Sequence, residues 1–296
     1  MALTLAESAK LSQDMLKRGV VETIIEESPI LARLPFIHVE GNSFKYNQET
    51  TLPTAAFYAP NAVWTEGTAT FTQQTANLCI LGGDADVDNF IQRTRSSLQD
   101  QRAIQTQLRA KSVARKFEQT FIYGDDSVDT NSFDGLGILA PTAQEITADA
   151  NGGPLTLALL DQLIDLVKGG KPDLLLMSKR TRRKLKNLLV ASAHYVESGA
   201  DQFGRQVMFY DGIPVEVSDF QLDTEVEGSE TAASSIYAIQ FSESDGLVGL
   251  QNGEIEVIDV GQLESKDASR VRVRWYVGLA LLRDSALARL RGIDAS

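Results

Sequence analysis

Cysteine is almost missing from this chain: Cys79 is the single one in 296 residues. An intrachain disulfide is thereby excluded, and so is any zinc site built on cysteines. Histidine is nearly as scarce, with only His38 and His194. They form no HExxH and no Cys/His cluster, and no Ser or Cys is placed by sequence to complete a catalytic triad with either. No apolar run approaches the ~20 residues that cross a bilayer. The opening MALTLAESAKLSQDMLKRG mixes acids into its apolar residues and lacks a signal-peptide core, so the sequence predicts a soluble, cytosolically made chain with no membrane partner. There is no GxxxxGK[ST] and no GxSxG, and the two glycines of FDGLGIL, Gly135 and Gly137, lack the third of a dinucleotide fingerprint. Asp84, Asp86 and Asp88 begin like a calcium loop, but Asn89 stands where Gly is needed and Arg95 where a bidentate acid is needed. They read as alternating strand residues running into a helix N-terminus, and Asp125, Asp126 and Asp129 read as turn residues. The sequence therefore predicts no catalytic residue, metal site or cofactor.

What is present is ordinary for a globular protein: 43% hydrophobic and 23% charged residues. The length predicts two domains, or one with large excursions. Net charge is -12, which disfavours a general nucleic-acid binder. The segment from Ile213 to Asp267 holds thirteen acids against Lys266 alone, so it carries the whole net charge. Basic residues gather in Arg93 to Lys116 and in Lys168 to Lys186, where Lys179, Arg180, Arg182, Arg183, Lys184 and Lys186 cluster. Two readings stand for these runs: solvated helix faces, or a basic face of one copy meeting an acidic face of another. The Lys179 cluster is interleaved with Leu185 and Leu188, and not with aromatics, so an exposed helix face is favoured over a nucleic-acid patch. Cys79, in the apolar run LCIL, reads as a buried, inert thiol.

Periodicity then divides the chain. Residues 1–37 carry one amphipathic stretch (Leu11, Met15, Val20, Val21, Ile24, Ile25) and SPILARLPF, whose Pro29 and Pro35 break any helix, and they read as an arm. From His38 to about Gly83, pieces such as FKYNQ and ATFTQQTANLCIL predict a long two-stranded ribbon closed off by Gly82-Gly83. A ribbon without a core is marginal in water, so Phe57, Tyr58, Trp64 and Phe71 are expected to lie on something else. The stretch from about 88 to 123, free of Pro and internal Gly, predicts a helix ~50 Å long with a stripe at 90, 91, 94, 98, 104, 108, 113, 117 and 121. TLALLDQLIDLVKGG predicts a helix, DLLLM a buried strand, and Ser178 the N-cap of a basic helix. Later segments predict strands, with hairpin turns at Asp211-Gly212 and Asn252-Gly253. In EIEVIDV and RVRVRWYVGLALL, Glu254 and Glu256 alternate with apolar residues, as do Arg270, Arg272 and Arg274. Antiparallel pairing of the two would set acids against arginines. Helices and strands are segregated, which makes this an α+β chain.

The order of these parts, with AVWTEG (Ala62 to Gly67) ahead of ATFTQQTANLCIL, FDGLGIL (Phe133 to Leu139) after the long helix, and RVRVRWYVGLALLRDSALARL near the end, resembles the tailed-phage major capsid proteins of the Hong Kong 97-like fold. The resemblance spans essentially the whole chain. It implies an N-terminal arm (1–37), an extended loop (38–82), a peripheral domain (83–152 and 254–296) with a spine helix at about 88–123, and an axial domain (153–253). It implies hexamers and pentamers of this chain in a closed icosahedral shell enclosing double-stranded DNA without sequence-specific binding, assembled in the bacterial host cytoplasm and ending in the virion. Separate scaffolding, portal and decoration proteins are the partners it suggests. Contacts between copies are expected at Phe57, Tyr58, Trp64 and Glu66 of the loop, and at Lys179, Arg180, Arg182 and Arg183 of the basic helix. Two features depart from family habits. The chain begins close to the arm, so scaffolding is expected from a separate protein or none, and the ribbon's lone Lys45 is near its base, so no covalent crosslink between copies is expected. An encapsulin-type shell is the alternative within the fold, and an acidic cytosolic enzyme the alternative outside it.

Overall fold

The computed structural model describes residues 28, 30–90, 93, 101–192, 197–200 and 206–294. His194 and the amphipathic stretch of the arm lie outside the described residues. The chain runs through β1 (Phe36–His38), β2 (Ser43–Thr51), β3 (Thr70–Asn77) and β4 (Cys79–Asp88), then α1 (Gln101–Tyr123) and α2 (Leu136–Leu139). Next come β5 (Glu145–Thr147), α3 (Leu157–Leu166), β6 (Leu174–Met177) and α4 (Lys179–Ala191). The remainder is strand: β7 (Glu197–Ala200), β8 (Gln206–Tyr210), β9 (Ile213–Val217), β10 (Glu225–Glu227), β11 (Glu230–Ile239), β12 (Leu247–Gln251), β13 (Glu256–Gln262), β14 (Ala268–Leu281) and β15 (Leu287–Ile293).

A five-stranded sheet is organised by β14. One edge of it pairs with β4 from Ala268↔Asp88 to Val277↔Cys79, and the opposite edge takes β13 along Ser269 to Arg274 and β12 along Val277 to Leu281. The expected hairpin at Asn252-Gly253 is therefore absent. Asn252 N–H still bonds Tyr276 O at 3.2 Å and Gly253 takes φ +78°, so the turn signal produces an outward kink in a strand that keeps following β14. Gly82 and Gly83 do not close off the ribbon either. Both lie inside β4, and a Cβ on Gly82 would sit 2.4 Å from Val273 O, so the glycine there permits close strand approach. The strand-paired ribbon is consequently shorter than predicted, β2 with β3 alone.

The second sheet has the order β5-β15-β11-β6-β9-β8-β7, with β10 on β11. Its central strand β6 is buried at all four residues, as the apolar run DLLLM requires. Asp211 (φ +50°) and Gly212 (φ +76°) do form the two-residue turn, between β8 and β9. Thr156 Oγ1 accepts from Leu159 N–H and Ser178 Oγ from Thr181 N–H, both at 3.2 Å, capping α3 and α4.

Two main cores follow from these layers. In the first, Val113, Ala114, Phe117, Phe121 and Ile122 of α1 pack against Val273, Trp275 and Val277 of β14, with Phe117 and Trp275 ring centroids 5.2 Å apart. Ile30 and Leu34 of the SPILARLPF segment are buried in this core. The buried stripe shifts toward Thr106 and Ala110, and Leu108, expected on it, is exposed. In the second core, Leu160 and Leu163 of α3 and Leu185 and Leu189 of α4 cover Leu175, Val215, Ile236 and Leu290 of the sheet.

Candidate assembly surfaces

The ribbon is anchored at one end only. Phe44, Tyr46 and Ala76 pack at its base on Val248, Leu250 and Ala280, and Gln48 Nε2 donates to Leu281 O at 2.9 Å and to Asp284 at 3.0 Å. Beyond Thr51 the chain leaves the body of the protein. Phe57, Val63 and Trp64 are 108%, 92% and 78% exposed, and Leu52, Glu66 and Phe71 are exposed too. The tip is nevertheless ordered by itself: Tyr58 and Trp64 stack with centroids 4.6 Å apart, and Thr65 N–H donates to Tyr58 Oη at 3.1 Å. The Thr65 side-chain hydroxyl, hydrogen-bonded to the phenol, pulls the Tyr58 pKa below its ordinary value, and the Thr65 N–H adds to the effect. The four expected loop residues thus share one projecting tip, and Phe57 and Trp64 there expose aromatic surface that no part of the described chain covers.

The basic helix divides. Lys179 pairs with Asp219 at 2.5 Å, and Arg180 turns inward to Asp223 (3.3 Å) and to Ala232 O (2.6 Å). Arg182 and Arg183 are exposed and make no ion pair among the described residues. Arg180 is therefore a strut within the subunit. The acidic run fares similarly: Glu216, Asp219, Asp223, Glu225, Glu227, Asp245, Glu256 and Asp259 each meet a cation of their own chain. The segregation of charge along the sequence is thus largely undone by folding, which leaves less of it to act between copies.

On β14 the arginines find acids on both sides. Glu256 lies opposite Arg274 and pairs with it at 2.6 Å, and Glu254 precedes β13 in the kink. Arg270 and Arg272 turn to the other edge, where register sets them opposite Asp86 and Asp84: Arg270 Nε bonds Asp86 at 2.6 Å and Arg272 Nε bonds Asp84 at 2.7 Å, each with a second bond from NH2 at 2.9 Å. Arg272 holds the Asp84 carboxyl below its usual range, and Arg270 with Lys266 does the same for Asp86. Two partners of this ladder were missed in the sequence. The signal was there, since DADVD and RVRVR share a period of two.

A half-buried polar knot joins α1 to the second sheet. Glu225 accepts from Tyr123 Oη, Ser235 Oγ and Arg289, and Arg289 also reaches Glu145 at 3.3 Å. Burial raises the Tyr123 phenol well above its ordinary value, and the Glu225 carboxylate adds to the effect. No sequence motif announces this knot, because its members lie far apart along the chain. Asp125, Asp126 and Asp134 bring carboxylate oxygens within 4.8 Å of one another. Their contacts are those of a turn: Asp125 accepts from Ser127 N–H and Asp134 from Asp126 N–H, both at 2.9 Å. Cys79 is half-buried, and burial, with the nearby Asp126, raises its thiol pKa. No helix among the described residues is long and apolar enough to cross a membrane.

A mostly antiparallel sheet packed by one long helix, with a ribbon projecting ahead of that helix, is matched by known proteins. The model of the phage capsid family matches residues 11–292. The chain belongs to the phage capsid family. Its function is accordingly the structural one of a capsid shell protein. The fold is the Hong Kong 97-like α+β capsid fold. Among solved structures, the holo-SrpI encapsulin complex of Synechococcus elongatus PCC 7942 is similar at TM-score 0.71 and 20% identity, over 90% of this chain and 88% of that one. The capsid of a native GTA particle is similar at 0.65 and 15%, over 90% of each chain, and the Mycobacterium phage Bobi protein at 0.64 and 17%, over 91% of each. Comparison with curated proteins gives no match.

Proposed function

We propose that copies of this capsid protein assemble as hexamers and pentamers into a closed icosahedral shell around the double-stranded DNA of a tailed phage. The carrying observation is the ribbon tip, whose Phe57 and Trp64 are 108% and 78% exposed in the single chain. Aromatics of that size dominate interface energetics, and the natural cover is a neighbouring copy. In this reading residues 1–37 are the arm, 38–82 the extended loop, 83–152 with 254–296 the peripheral domain, and 153–253 the axial domain. Arg182 and Arg183 serve contacts between copies or the shell surface. Scaffolding, portal and decoration proteins are separate partners, assembly takes place in the host cytoplasm, and the product is the virion. DNA is held by confinement, since a subunit of net charge -12 repels phosphate.

The test is negative-stain microscopy and sedimentation of the purified chain, alone and co-expressed with its genomic neighbours. Closed shells in either arm support the reading, and dispersed subunits in both overturn it. The encapsulin alternative rests on the similarity to the encapsulin complex. Shells isolated from infected or lysogenic cells separate the two: nuclease-protected DNA of uniform length supports the phage reading, and a packaged enzyme without DNA supports the other.

A further inference from the structure

A cleft of about 330 Å³ opens where the middle of α1, the start of α4 and the loop after β9 meet. It is lined by Arg115, Lys179 and Arg182, by Val217 and Phe220, and by Glu118 and Asp219. The cations outnumber the acids by three to two. Asp219 is occupied by Lys179 at 2.5 Å, and Glu118 is buried and accepts from Ser218 Oγ, with burial raising its pKa. Arg115 lies 5.5 Å over the Phe220 ring, and Arg115 and Arg182 are exposed with no ion pair among the described residues. The cleft thus joins a small apolar patch, Val217 and Phe220, to the Arg115 and Arg182 guanidinium groups, in a chain of net charge -12.

The loop that follows α1 has the complementary character. Val128 at its crest is 84% exposed, and Asp126 and Asp129 beside it are exposed and make no ion pair among the described residues. The loop is tied down: Ser132 N–H bonds Asp129 O at 2.8 Å, and Gly135 N–H bonds Gly124 O at 3.0 Å. Arg115 precedes the end of α1 at Tyr123 by about 12 Å of helix, so a loop fixed at that end is kept from its own cleft. Each copy carries both halves of a contact it does not make with itself. Two different faces that meet between copies give a heterologous contact, the kind that closes rings.

We propose that the Val128 loop of one copy seats in the Arg115–Arg182 cleft of the next copy around a ring, Val128 against Val217 and Phe220, Asp126 and Asp129 against the two arginines. This contact rests on the shell reading and names a surface for it separate from the ribbon tip. Charge complementarity selects the partner: the acidic loop of a second copy matches the cleft, and like-charge reversals on one side alone are unfavourable.

The test uses the full chain under conditions where it forms shells. Asp126→Lys with Asp129→Lys, or Arg115→Glu with Arg182→Glu, lowers the pelleting shell fraction by about tenfold. The fourfold variant carrying both reversals restores it. Circular dichroism and melting confirm that each variant is folded. A Val128→Cys and Asp219→Cys pair in a Cys79→Ser background supplies a second readout, giving oxidation-dependent ladders of linked subunits on non-reducing gels. Normal shells from either one-sided variant, a fourfold variant no better than its parents, or monomers only from the cysteine pair would each overturn the contact. Shells that form and ignore the reversals remove this contact and leave the shell reading standing, whereas no shells from the unaltered chain remove both.

Discussion

Strand β14 and the ribbon tip both carry large apolar side chains, yet they differ in what covers them. Along β14, Val271, Val273, Trp275 and Val277 are buried by the subunit's own α1 and neighbouring strands, and Arg270, Arg272 and Arg274 are paired by its own acids. At the tip, Phe57, Val63 and Trp64 face solvent. One region spends its chemistry on folding, and the other leaves its apolar surface uncovered by its own chain. Apolar area contributes to stability only when water is removed from it, so the tip contributes little until something covers it.

That contrast sets the order of effects expected from substitution. Phe117→Ala removes a side chain packed on Trp275, Phe121 and Phe133, and should cost about 3–5 kcal/mol in denaturant unfolding. A loss under 1 kcal/mol would show that α1 is not central to the fold. Arg289→Ala should come next, at roughly 3 kcal/mol, because it removes the cation shared by the mostly buried Glu145 and Glu225. Tyr123→Phe, which removes one donor to Glu225 and the acceptor of Leu222 N–H, should cost about 1 kcal/mol in the same measurement.

Acid exposes the ladder. The folded-state pKa values of Asp84 and Asp86 lie below their unfolded values, so their contribution is present above the unfolded value near about 4 and is lost as pH falls through the folded values. Thermal melting should therefore show a decline below about pH 4 that is shallower in an Asp84→Asn, Asp86→Asn variant. An identical decline in both would place the acid sensitivity elsewhere. The smallest effect on stability is expected at the tip: Tyr58→Ala with Trp64→Ala should stay within about 1 kcal/mol of the parent in unfolding and yet abolish shells in sedimentation. An unfolded double variant would break the comparison by assigning these aromatics to the subunit's own core.

Much of this was legible beforehand where a pattern is local. The period of α1 at Val113, Phe117 and Phe121, the Ser178 cap, the buried run at Leu174 to Met177 and the Asp211-Gly212 turn are each written within a few neighbouring residues. The errors share a cause. Asn252-Gly253 and Gly82-Gly83 signal boundaries because glycine-containing pairs usually turn a chain, but β14 offers both segments a strand edge to follow, and the ladder bonds outweigh the local preference. The basic cluster at Lys179 to Arg183 looked like one face, and folding divided it by turning Arg180 inward to Asp223.

By itself, the sequence determined the α+β class, the order of ribbon, helix and strands, and the absence of an intrachain disulfide and of the common catalytic motifs, because each depends on residue type and short-range spacing. Only the tertiary structure decided which charges are spent inside the subunit and which are left for its surface. Arg270 meets Asp86 across 184 residues and Arg289 meets Glu145 across 144, and ion pairs at such separation are set by strand register and sheet order, which no local pattern encodes.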